Sequence, residues 1–106
     1  MAVPDEGAFL TFDRLGEQYQ IHIEEWANII LLLEDWGWVP ELRRTFYLAT
    51  GIDISDDDAR NLARTGEKLL QAAFKDPLSV YPIRADMSKV YEVVEFCGQG
   101  GFRICE

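Results

Sequence analysis

The sequence predicts a mostly α domain of the α+β class: three to four helices with a small two- or three-stranded sheet built from the termini. Three observations carry that prediction. Apolar residues recur with the helical period in three windows, each bounded by capping, charge or Gly/Pro signals. Three short stretches, two near the start and one at the end, have strand-like composition. The 106 residues contain no Ser/Gly linker, internal repeat or low-complexity tract, so a single domain over 1–106 is expected, with residues 1–7 loose.

The elements follow in chain order. Ala8-Phe-Leu-Thr-Phe12 alternates weakly and reads as a short strand. Tyr19 to Ile23 sets Tyr, Ile and Ile against Gln and His, a second short strand leading into a helix. That helix spans Ile23 to Trp36. Trp26, Ile29, Ile30, Leu33 and Trp36 form its buried stripe, which Leu31 and Leu32 widen. Glu24 and Glu25 sit at the positive end of its dipole. Gly37 suits the left-handed position after the last turn, and Pro40 follows. Residues 41–50 fit a short helix with Leu42, Phe46 and Ala49 inward, ended by Gly51.

The second long helix runs from Asp56 to Lys75. Ser55 is its N-cap, Asp58 stands in capping-box position, and Asp56, Asp57 and Asp58 complement the dipole. Ala59, Leu62, Ala63, Leu69, Leu70, Ala73 and Phe74 make the apolar stripe. Gly66 interrupts it at about 1 kcal/mol against Ala. Asp76-Pro77 stops the helix, and Leu78 to Ile83 is extended around Pro82. A third helix opens at Asp86, carries Val90, Val93, Val94 and Cys97 on one face with Phe96 beside them, and closes at Gly98. A flexible Gly98–Gly101 segment leads to a terminal strand, Phe102 to Cys105, that pairs with residues 8–12 or 19–23.

Charge narrows the function. Ten Lys+Arg against 19 Asp+Glu leave a net charge of -9. Residues 1–58 carry 13 carboxylates and three basic side chains, a net -10, while residues 59–106 carry six and seven, a net +1. Such a chain argues against nucleic acid and anionic lipid as partners, because both require a positive surface. A basic protein is the complementary partner. The start, Met-Ala-Val-Pro-Asp-Glu, has neither the basic nor the apolar region of a secretory signal, and the longest aliphatic run, Ile29 to Leu33, is too short to span a bilayer. A cytoplasmic location is expected, and with it reduced thiols at Cys97 and Cys105.

Four groups of residues test for chemistry. Asp53-Ile-Ser-Asp-Asp-Asp58 places acceptable calcium ligands at Asp53, Ser55 and Asp57. However, Asp58 stands where an EF-hand needs Gly, and Arg64 where it needs a bidentate Glu. A capped acidic helix start explains the run. His22 is the only histidine and has no second ligand or catalytic partner at a recognisable spacing, so a surface or capping role is expected. Cys97 lies at a helix C-terminus, where the dipole disfavours a thiolate, and on the apolar stripe, so it reads as core. Gly98-Gln-Gly-Gly101 follows a helix and precedes a strand, the reverse of a phosphate cradle. No catalytic residue, metal ligand or cofactor-binding residue is assigned. Among the aromatics, Trp36 continues the helix stripe and reads as core, whereas Trp38 does not and is expected at the surface.

Three stretches together resemble small acidic bacterial proteins of unassigned function. They are Trp26 through Trp36-Gly-Trp-Val-Pro40, Ser55-Asp-Asp-Asp-Ala-Arg-Asn-Leu-Ala63, and Phe96-Cys-Gly-Gln-Gly-Gly-Phe-Arg-Ile-Cys105. The resemblance implies a mostly helical single domain of bacterial origin and brings no catalytic residues. The expected function is a non-enzymatic, acidic protein-interaction module for a basic partner, of the inhibitor or immunity type. Its candidate partner-binding residues are Glu34, Asp35, Trp38, Glu41, Asp53, Asp56 and Asp57. The alternatives are a structural subunit of a homo-oligomer, and a small enzyme or ligand-binding domain using carboxylates such as Glu24, Glu25 or Asp35.

Overall fold

The computed structural model describes residues 9–76 and 86–106. The expected loose start over 1–7 and the extended Leu78–Ile83 lie outside the described residues. Two strands, β1 (Phe9–Arg14) and β2 (Glu17–His22), form an antiparallel hairpin in which Arg14 faces Glu17. Leu15 and Gly16 make its two-residue turn, both at positive φ, 53° and 92°. That backbone matches the twist of the flanking strands, which is why such turns close hairpins.

Helix α1 (Ile23–Asp35) follows directly, with His22 as its N-cap. A single turn, α2 (Arg44–Tyr47), and a three-residue strand, β3 (Ile52–Ile54), come next. The long helix α3 (Asp56–Lys75), helix α4 (Met87–Cys97) and strand β4 (Phe102–Cys105) complete the described residues. β4 pairs with β1, and β3 with the far side of β4, so the strand order is β2-β1-β4-β3, antiparallel throughout.

The sheet therefore has four strands, not the two or three expected. The addition is β3. Three residues between Gly51 and Ser55 are too few to show an alternation; their strand form comes from pairing with β4, helped by Gly51 N–H donating to the Ile104 carbonyl at 2.7 Å.

One face of the sheet is apolar and covered. Leu10, Phe12, Ile21, Ile54, Phe102 and Ile104 are buried there. Phe12 is the hub: its ring centroid lies 4.5 Å from Phe102 and 4.9 Å from Trp26 of α1. Edge-to-face and offset pairs of this kind add roughly 0.5–1.5 kcal/mol each beyond the area they bury. The other face carries Thr11, Asp13, Gln18, Gln20, Asp53 and Arg103, the polar half of the two-residue alternation.

Several side chains depart from expectation. Phe46 is exposed and its neighbour Tyr47 is buried, because residues 44–47 form only one turn and the inward face shifts by a residue. Phe74, assigned to the α3 stripe, is 92% exposed. Trp38 is buried, not exposed. Its N–H donates to the Leu33 carbonyl at 3.0 Å while Gly37 N–H donates to Glu34 at 3.1 Å, with Gly37 at φ 107°. This C-terminal motif folds the residue after the glycine back over the last turn, where a large apolar side chain is covered. The Gly98–Gly101 segment is tied to the body: Gly101 N–H donates to Asp56 Oδ1 at 2.6 Å, and Arg14 donates to the Gly100 and Gly101 carbonyls, each at 3.1 Å.

Candidate functional site

The sheet register determines where the carboxylates gather. Arg103 on β4 stands opposite Asp13 on β1 and opposite Asp53 on β3. A cross-strand row of acid, base, acid thus runs over the open face, and Arg103 binds Asp53 at 3.0 Å. Beyond β3 the chain enters α3, which places Asp56 at the same end. Asp13, Asp53 and Asp56 line a groove of about 530 Å³ together with Arg103, Leu15, Ile54, Gly101 and Phe102, and Arg14 reaches its wall. Glu17 on the hairpin accepts from Arg14 Nη1 at 2.9 Å, and Asp57 follows Asp56 in the first turn of α3 without lining the groove. Glu41 accepts a hydrogen bond from Ser55 Oγ at 2.7 Å.

Two features give the groove its character. The first is Arg14, which the groove touches but does not own. Its guanidinium turns inward, donating to the Phe96, Gly100 and Gly101 carbonyls, and lies 4.1 Å over the Phe96 ring. That cation is spent on the scaffold, binding the hairpin to the C-terminal loop. The second is Leu15, fully exposed at the lip and held at φ 53°. A left-handed backbone costs a side chain such as Leu roughly 1–2 kcal/mol, where Gly or Asn would fit with less strain. Both the strain and the exposure run against stability, and such outliers concentrate at binding sites.

The sequence-predicted partner residues divide into groups. Asp53 and Asp56 come together in this groove; Glu41 is held by Ser55 Oγ, and Asp57, next to Asp56 on α3, does not line it. Glu34 is remote from it and forms an ion pair with Arg44 at 3.0 Å. Asp35 is exposed at the end of α1. Trp38 lies almost wholly inside the protein, 3% exposed, and does not line this groove. Asp13 and Leu15 were missed. Neither has a sequence signal, because Asp13 joins Asp53 only through the β1–β4–β3 register, and Leu15 is an unusual residue for its turn.

Asp58 belongs to a different assembly. Its backbone N–H is capped by Ser55 Oγ at 3.0 Å, but its side chain does not close a capping box. It points inward and is buried. Trp38 Nε1 donates to it at 3.2 Å, and the Tyr47 hydroxyl donates to its other oxygen. Burial holds its carboxyl above the usual carboxylate range, against the pull of those donors. The same burial, reinforced by Asp58, raises the Tyr47 hydroxyl. Three elements meet on this one carboxylate, so it acts as an anchor for the α1 exit, α2 and the α3 start.

The remaining candidates are accounted for locally. His22 Nδ1 accepts from Glu24 N–H at 3.1 Å, an N-cap on α1. Cys97 and Cys105 are free thiols; Cys97 is buried, and burial pushes its thiol up and away from reactivity. Glu24 and Asp35 are exposed and Glu25 is half-buried. Among the described residues no three His, Cys, Asp or Glu side chains group as a metal site, and no helix is long and apolar enough to cross a membrane. No protein-family model, curated protein or solved structure matches the chain.

Proposed function

We propose that the chain is a non-enzymatic, acidic interaction module that binds a basic protein through the hairpin end of its sheet. Leu15 carries the reading: an apolar side chain, fully exposed and strained, at the lip of a groove lined by Asp13, Asp53 and Asp56. Carboxylates drawn from β1, β3 and α3 offer charge to a Lys or Arg of the partner, while Leu15 offers the apolar anchor that interface centres require. The net charge of -10 on residues 1–58 steers a basic partner toward this end. An inhibitor or immunity-type role fits a partner whose own working surface is cationic.

The test is affinity capture from the source cell, with the tagged protein and two variants compared at low and high ionic strength. Asp13→Asn/Asp53→Asn/Asp56→Asn removes three charges yet keeps an acceptor for Gly101 N–H. Glu24→Gln/Glu25→Gln removes charge on α1, away from the groove. The expected result is a basic protein that is released by salt, lost with the first variant and kept with the second. Leu15→Asn should weaken capture while raising thermal stability by roughly 0.5–1 kcal/mol, since Asn relieves the left-handed strain. Equal capture by all the variants, or a captured protein that is not basic, overturns the proposal.

A further inference from the structure

The basic residues of this acidic protein are concentrated on one helix. Arg60, Arg64, Lys68 and Lys75, four of the ten in the chain, are all exposed on α3. At 3.6 residues per turn they fall, with Gln71, in a sector about 80° wide. Arg60, Arg64 and Lys68 stand four residues apart, so each repels the next across one turn. Among the described residues none of the four has a carboxylate within ion-pair distance; Arg64 is held by Asn61 Oδ1 at 2.8 Å. The helix dipole accounts for Lys75 in the last turn. It does not account for Arg60 and Arg64, which lie toward the positive end.

The row borders a second groove, about 270 Å³, formed by Asn61, Arg64, Thr65 and Lys68 of α3 with Gly37, Trp38 and Val39 of the α1 exit. Val39 is 81% exposed at its edge. Cations, an amide, a hydroxyl and one apolar side chain therefore converge there. We propose that this face binds an acidic segment of a protein partner. The segment's carboxylates would bind Arg64 and Lys68, and an apolar side chain would rest on Val39. Charge complementarity favours a short acidic peptide over nucleic acid. A long phosphate backbone would meet Asp57 at the head of the same row and the field of a molecule with net charge -9, whereas a few carboxylates need only the local cations. This groove shares no lining residue with the hairpin groove and is opposite to it in sign, so the molecule has two interaction faces.

The full chain, labelled with nitrogen-15, is titrated at low ionic strength with a short glutamate-rich synthetic peptide containing one leucine. The same peptide without leucine and a DNA duplex are titrated in parallel. Expected are amide shifts confined to residues 60–75 and 37–39, and binding that weakens as salt is added. Arg64→Gln/Lys68→Gln should bind roughly tenfold less tightly, with circular dichroism showing the fold retained. Glu67→Gln should bind at least as tightly as the parent, and Val39→Ser should weaken only the leucine-bearing peptide. The proposal is overturned by an absence of shifts, by shifts centred elsewhere, by unchanged binding in the double variant, or by tighter DNA binding at the same residues.

Discussion

Asp58 shows how one side chain can hold separate stretches of a small domain together. Its carboxylate receives hydrogen bonds from Trp38 and Tyr47. Removing it by Asp58→Ala strands two buried donors, and the expected loss is about 3 kcal/mol in a urea or thermal unfolding experiment. Asp58→Asn keeps one acceptor and should cost about 1 kcal/mol. The pH dependence has a definite sign. Burial raises the folded-state pKa above the unfolded value, so between the two the native state holds the extra proton. This group's contribution to stability therefore falls as pH rises through the folded pKa, and is most favourable below the unfolded value of ~4. Stability measured from mildly acid to neutral pH should fall less steeply in Asp58→Asn than in the parent; identical slopes would exclude Asp58 as the source. The sequence shows Asp58 as a helix-start carboxylate, which it is, but not its inward direction. That direction depends on Trp38 and Tyr47, 20 and 11 residues away in the chain.

Among the elements, α3 and α4 were legible from end to end because their signals are local: Ser55 and Asp86 as caps, periodic Leu, Ala and Val between, and breakers after. The cost assigned to Gly66 in α3 has its explanation in the packing of these two helices. A Cβ at Gly66 would lie 2.3 Å from Val94 Cγ2 on α4, and Val94 is β-branched, buried and unable to turn aside. Gly66→Ala should therefore destabilise by about 1–3 kcal/mol despite the gain in helix propensity. Adding Val94→Ala should recover part of the loss, and a double-mutant cycle on thermal unfolding reads the coupling. A stabilised Gly66→Ala protein would show that the two helices are free to separate. The strands tell the converse story. β1, β2 and β4 have enough alternation to be read; β3 takes its form from β4 alone. The groove needed β3 and the β1–β4 register together, so its composition could be read only in part, through Asp53 and Asp56.

At the scale of the whole molecule, the uneven charge seen in the sequence becomes a spatial division. Asp13, Asp53 and Asp56 of the first half gather at the hairpin end of the sheet, while a cationic row occupies the outer face of α3. Among the described residues the opposing pairs Arg44–Glu34, Arg14–Glu17, Lys89–Glu92 and Arg103–Asp53 each have at least one exposed partner, and each is worth about 0–1 kcal/mol. Repulsion within the acidic half and along the α3 row works against them at every separation below the Debye length, about 10 Å at 0.1 M salt. Moderate sodium chloride should then screen more repulsion than attraction, so the free protein's melting temperature should rise. The same salt should weaken capture of a basic partner at the hairpin groove and of an acidic peptide at α3, because each of those contacts is attractive. Opposite salt responses of folding and binding, measured in the same buffers by calorimetry, are the signature of charge retained for recognition at the expense of stability. A melting temperature that falls with salt would mean that the exposed ion pairs outweigh the like-charge crowding, and that the division of charge serves the fold.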